Sequence, residues 1–126
     1  MLRLRRIDQH SIRLDLDPEG ARCLLVALEE LRKDPPGTAT VRVELDGRVL
    51  GNDATVATET LSLRQGEGSL QRADNEVVWW LDADEIVYGI ERLDEALSVN
   101  AFYPAEFTET YVGRRAALNY VFFEWR

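Results

Sequence analysis

Val77-Val78-Trp79-Trp80-Leu81 runs without a polar interruption into Asp82-Ala83-Asp84-Glu85 and then into apolar residues at helical spacing. A run this short does not alternate and cannot make a helix by itself. It predicts a strand covered on both faces, at the centre of a sheet. Asp82, with Glu85 three positions on, has the form of a capping box in which Asp replaces the usual Ser or Thr. Ile86, Ile90, Leu93 and Leu97, with Val87 beside them, then form the buried stripe of a helix ending near Leu97. One segment therefore ties the middle of a sheet to a helix whose remaining positions are mostly acidic.

The other elements follow from the same two periodicities. Leu2–Leu16 reads as one or two strands, with Ile12, Leu14 and Leu16 alternating against Arg13 and Asp15. Asp17-Pro18-Glu19 starts a helix with an N-cap, a proline in the first turn and an acid at the positive dipole end. Ala21, Leu24, Leu25, Leu28 and Leu31 are its inner stripe, and Asp34-Pro35-Pro36-Gly37 stops it. Val41, Val43 and Leu45 mark a strand, followed by Asp46-Gly47 as a tight hairpin turn. Leu61 and Leu63 mark another strand, and a short polar one is expected near Ser69–Arg72. Phe107–Val112 and Ala117–Trp125 complete the set. No internal repeat or linker is visible. The pattern predicts a single α+β domain over residues 1–126. It has a mainly antiparallel twisted sheet of about six to seven strands with two helices packed on one face, in the order β-α-β-β-β-β-α-β-β.

Trp79 and Trp80 are strand neighbours, so they point to opposite faces. One belongs to the core; the other is a candidate for an exposed surface, together with Tyr88 and Tyr103. The apolar last strand, Tyr120–Trp125, must be tied down in the sheet or against a second copy, which makes a homodimer through it a possible assembly.

Charge sharpens this picture. The chain carries a net −8, but residues 73–110 hold ten acids against Arg92 alone, a local −9. Nucleic acid is a poor partner for such a surface, because binding it relies on basic side chains. A basic protein is a natural partner, since a field of one sign speeds encounter by roughly 10–1000-fold. No apolar run reaches the ~20 residues of a membrane span. The N-terminal stretch lacks a signal-peptide core, and the single cysteine excludes an internal disulfide. The expectation is a cytoplasmic protein with no membrane partner.

Catalytic and cofactor motifs are missing. His10 and Cys23 occur once each, too few for a zinc site. Cys23 with His10 makes a dyad only on paper, and a buried thiol is the commoner state. Gly66-Glu67-Gly68 lacks the third glycine of a dinucleotide loop and the lysine of a phosphate loop. Asp82, Asp84 and Glu85 offer oxygens to a divalent ion, yet capping already accounts for two of them. No cofactor and no metal are expected, and binding fits better than catalysis.

In size, acidity and helix-plus-sheet pattern the chain resembles the immunity proteins that neutralise bacterial polymorphic or contact-delivered toxins. The resemblance rests on general character, with no diagnostic motif, and it carries no family site residues. It implies an acidic inhibitor that covers the active or binding surface of a basic toxin. The residues assigned to that contact are Asp84, Glu85, Tyr88, Glu91, Asp94 and Glu95, with Trp80 and Tyr103 as aromatic anchors. Two alternatives stand beside it. One is a small-ligand binder or enzyme using a cleft between the sheet and the loops at Pro104 and Gly51–Asp53. The other is a structural subunit dimerised through the last strand.

Overall fold

A computed structural model describes every residue except Asn52 and 102–104. The strands are β1 (Leu2–Asp8), β2 (Ser11–Leu16), β3 (Ala39–Asp46), β4 (Val56–Gln65), β5 (Ser69–Ala73), β6 (Glu76–Leu81), β7 (Ala105–Val112) and β8 (Ala117–Trp125). The helices are α1 (Pro18–Arg32), after β2, and α2 (Ala83–Val99), after β6. Among the described residues no helix is long and apolar enough to cross a membrane.

The sheet is a closed barrel in the order β1-β2-β8-β7-β5-β6-β4-β3, with β3 returning to β1. This corrects the expected open sheet of six to seven strands. The expected antiparallel meander is corrected too. Antiparallel hairpins β1·β2, β3·β4, β5·β6 and β7·β8 alternate with parallel pairs β1·β3, β2·β8, β4·β6 and β5·β7. Period-2 patterning says that one side of a strand is wet; it carries no information about which strand lies alongside. Residues 2–16 are two strands, joined by a turn at Gln9 and His10. Asp46 does not begin a primed hairpin turn. Its φ is −73°, and its carboxylate accepts from the Arg48 N–H, capping a 3₁₀ turn at Gly47–Val49.

The pairings define two ββαββ halves related by a pseudo-twofold axis along the barrel. Leu4 is placed like Leu70, Leu14 like Trp79, Leu16 like Leu81, Leu45 like Val112, and Leu61 like Val121. Asp17 and Asp82 are equivalent N-caps, accepting from the Gly20 and Glu85 N–H groups. All four hairpins lie at one end of the barrel. Both helices lie at the other end, each bridging a finishing strand to the next starting one.

Alternate residues fill the barrel. Trp79, Phe107 and Phe123 form an aromatic stack at its centre, with ring centroids 5.6 and 4.5 Å apart. Leu24, Leu28 and Leu31 of α1 and Ile86, Ile90 and Leu93 of α2 join the same core. On the outer wall Asp15 is fully buried under Arg13 at 2.7 Å and Arg126 at 3.4 Å.

The helices cross at Gly89. A Cβ there would stand 2.9 Å from a Phe107 ring carbon and 3.0 Å from a Leu28 methyl. Overpacking of this kind costs about 1–3 kcal/mol, against about 1 kcal/mol regained when Ala replaces a mid-helix Gly. Gly89→Ala is therefore expected to lower unfolding free energy by up to about 2 kcal/mol in urea titration. Equal or greater stability would mean that the crossing has slack.

Candidate functional site

The apolar stripe of α2 faces the barrel, and its acids therefore face outward. Asp84, Glu91, Asp94 and Glu95 are exposed. Glu95 lies 3.5 Å from Arg92. Asp84, Glu91 and Asp94 have no cationic partner among the described residues. Val87, expected in the buried stripe, is instead exposed beside Tyr88, with 36% and 39% of their surfaces accessible, because its position lies at the outer margin of the stripe. The two give the acidic face an apolar centre. The Tyr88 hydroxyl donates to the Glu106 carbonyl at 3.3 Å, holding the ring against β7.

Glu85 has a different role. It closes the capping box, its carboxylate accepting the Asp82 N–H at 3.0 Å while Asp82 accepts the Glu85 N–H at 2.8 Å. It is half-buried, and its carboxylate lies close to Gly68. Burial pushes its pKa up to about 7, against the lowering effect of the backbone hydrogen bond and helped by the neighbouring Asp82 charge.

Of the ten acids in residues 73–110, eight sit on α2, its cap or the following β7. The other two do not join them. Asp74 lies in the β5–β6 turn at the far end, and Glu76 is engaged by Ser62 at 2.6 Å and Arg64 at 3.1 Å. The two tryptophans separate as strand geometry requires. Trp79 is fully buried. Trp80 is half-buried on the outer wall with the Arg64 guanidinium 6.0 Å from its ring centroid. Its face is thus engaged within the fold. Tyr103 lies outside the described residues, as do Asn52 and Pro104 of the proposed cleft loops.

Other expectations are also resolved. Cys23 is exposed on α1 and His10 sits in the β1–β2 turn. Six residues of β2, about 20 Å of strand, lie between those positions, so no dyad forms. Strand β8 is paired on both sides, by β2 and β7. Edge-to-edge dimerisation through it has no free edge to use. No three His, Cys, Asp or Glu side chains among the described residues converge to hold a metal.

A second site lies at the hairpin end. Sequence reading named the Gly51–Asp53 loop for a cleft, and Gly51 is in the lining of this site, but it missed the arginines that converge there. A cavity of about 620 Å³ is lined by Arg6, Arg48, Arg114 and Arg115, with Asn119 and apolar residues behind them. Only spatial convergence reveals it, because these arginines come from strand β1 and from the separate β3–β4 and β7–β8 connections. Comparison with protein-family models, with curated proteins and with solved structures finds no match to this chain.

The Glu85 environment has a measurable consequence. Its folded pKa exceeds the ordinary 4.5. The folded state therefore holds that proton more tightly than the unfolded state does. The resulting stability is present below pH 4.5 and is lost as pH rises toward 7. Wild type should lose stability across this window relative to Glu85→Gln, measured as urea midpoints. Parallel pH profiles for the two proteins would refute the assignment.

Proposed function

We propose that this chain is a protein-binding module that presents the outward face of α2 to a basic partner protein, in the manner of an acidic inhibitor or immunity protein. One comparison within the molecule carries the reading. Helices α1 and α2 occupy equivalent places in the two halves, so the fold asks the same of both. Yet α1 with its C-cap Lys33 holds three acids (Glu19, Glu29, Glu30) and three bases (Arg22, Arg32, Lys33), while α2 holds five acids against Arg92. Val26 of α1 stands where α2 has Glu91, and Cys23 where α2 has Tyr88. Packing and helix formation are satisfied by α1 without a net charge. With Glu85 set aside as a capping residue, the excess of Asp84, Glu91, Asp94 and Glu95 over Arg92 is not a requirement of the architecture.

Local electrostatics support the same conclusion. Asp94 and Glu95 lie toward the C-terminal, negative end of the helix dipole, where carboxylates are disfavoured. A guanidinium or ammonium from a partner would relieve both the dipole and the mutual repulsion of the acids. Val87 and Tyr88 supply the apolar centre that charge alone lacks, since hot spots combine aromatic anchors with a polar rim. The basic surface engaged would be a toxin's active or binding face.

The test is a pull-down at low salt followed by a salt-step elution, then kinetics with the eluted partner. The bound protein should be basic. Glu91→Lys/Asp94→Lys/Glu95→Lys should slow association about tenfold or more and flatten its dependence on salt. Association kinetics and salt slope identical to wild type would remove the acidic-face reading.

A further inference from the structure

The two halves each aim one arginine into the barrel at the hairpin end, and they treat it differently. Arg6 of β1 and Arg72 of β5 are equivalent by strand register, each two residues beyond the matched leucines Leu4 and Leu70. The residue across from each is equivalent as well: Asn119 of β8 and Glu59 of β4. Around Arg72, Glu59 from the other half grips the guanidinium with both oxygens, at 2.7 and 2.8 Å. Around Arg6 the corresponding carboxylate is replaced by an amide. Asn119 Oδ1 accepts from Arg6 Nη1 at 2.8 Å and brings no charge.

Arg6 is instead held by dipoles. Its Nε donates to the Arg48 carbonyl at 2.7 Å, Nη2 to Val49 at 2.9 Å, and Nη1 also to Asp8 at 3.0 Å and Gln9 at 3.3 Å. These oxygens fix the guanidinium but leave its full positive charge in place. It has no ion pair among the described residues. The charges of Asp8 and Asp46 reach Arg6 through space, but the Asp8 carboxylate accepts from the His10 N–H. Asp46 is committed to Arg48 at 3.1 Å.

This guanidinium is part of the lining of the 620 Å³ cavity, which holds no acid and three further arginines. Arg114 and Arg115 are exposed in the β7–β8 turn and have no carboxylate partner among the described residues. Val49, Leu50 and Val112 form an apolar part of the lining, and the buried Asn119 amide contributes a polar one. Three arginines in one concavity therefore lack a paired carboxylate among the described residues, in a chain with a net charge of −8. Only the charges of Asp8 and Asp46 act on Arg6 from nearby, and neither is paired with it. The acidic α2 face lies at the opposite end of the barrel and does not neutralise them.

We propose that this cavity is a binding site for a small organic anion of two or more negative charges, its anionic group taken by the forks of Arg114 and Arg115 beside the fixed charge and one remaining Nη2 N–H of Arg6, and its body by Val49, Leu50 and Val112. The anion supplies beside Arg6 the negative charge that Glu59 supplies beside Arg72. Guanidinium forks match phosphoryl and carboxylate oxygens equally, by paired N–H donors. The shared requirement is thus a planar or tetrahedral polyanion small enough for the cavity. The site is separate from the α2 face and does not depend on its role.

Calorimetric titration at constant ionic strength, with pyrophosphate as one probe and citrate as another, tests the proposal. Wild type should give saturable one-to-one binding with at least one probe. Pyrophosphate alone identifies a phosphoryl ligand, citrate alone a polycarboxylate, and both a general polyanion site. Asn119→Asp, which restores an internal carboxylate beside Arg6, should weaken binding at least tenfold. Arg114→Gln/Arg115→Gln, in an exposed turn where folding is not at stake, should do the same. Arg42→Gln, on an exposed strand position outside the cavity, should leave binding unchanged. Absence of saturable binding with both probes overturns the proposal, as does affinity that survives the Arg114→Gln/Arg115→Gln change.

Discussion

The structure depends on two parallel seams. Each ββαββ half makes a four-stranded sheet whose outer strands, β2 and β4 in one and β6 and β8 in the other, have an unpaired edge. An edge with free N–H and C=O groups invites association with other chains. Here the edges meet each other. β2 pairs with β8 from Ser11–Tyr120 to Leu16–Trp125, and β4 pairs with β6 from Leu61–Val77 to Gln65–Leu81. Closure satisfies the backbone and encloses the core, including Trp79, Phe107 and Phe123, in one step. Neither half alone could bury those rings.

Pseudo-twofold symmetry makes the molecule its own reference. Positions that match between halves, such as Leu16 with Leu81, Leu28 with Leu93 and the capping Asp17 with Asp82, are what the architecture requires. Positions that differ have been released from that requirement. Among the differences in charge, two lie at opposite ends of the barrel. At the helix end α2 is acidic where α1 is balanced. At the hairpin end Arg6 meets the Asn119 amide and has no paired carboxylate, where Arg72 is paired with Glu59. The chain is therefore electrically polar along the barrel axis.

Much of the local structure was legible in the residues. Asp17-Pro18 and the Asp82–Glu85 box locate both helices, because capping is settled by groups within one turn. Val77–Leu81 is a fully flanked strand, and its two tryptophans divide between core and outer wall. The repeat was not legible. Equivalent strands are offset by 66 positions from Leu4 to Leu70, 65 from Leu14 to Trp79, 67 from Leu45 to Val112 and 60 from Leu61 to Val121. Loop lengths differ enough to put any fixed-period comparison out of register. Most of the core matches are also of one apolar residue with another, which many sequences share. At the acidic face, helical spacing was enough to place Asp84, Tyr88, Glu91 and Glu95 together. The arginine cavity had no such signal, because Arg6, Arg48 and Arg114 are separated by whole elements.

The sequence by itself determined which segments are helix and strand, which side of each is apolar, and that negative charge concentrates on the second helix. These depend on interactions within a few residues, so they are written in local order. Tertiary structure alone decided that eight strands close into a barrel, that half of their pairings are parallel, and that Arg6 faces an amide where its counterpart faces a carboxylate. Those outcomes depend on which distant segments become neighbours. Period-2 alternation favours every such pairing alike, and only the joint demand to pair all edges and fill one interior selects among them.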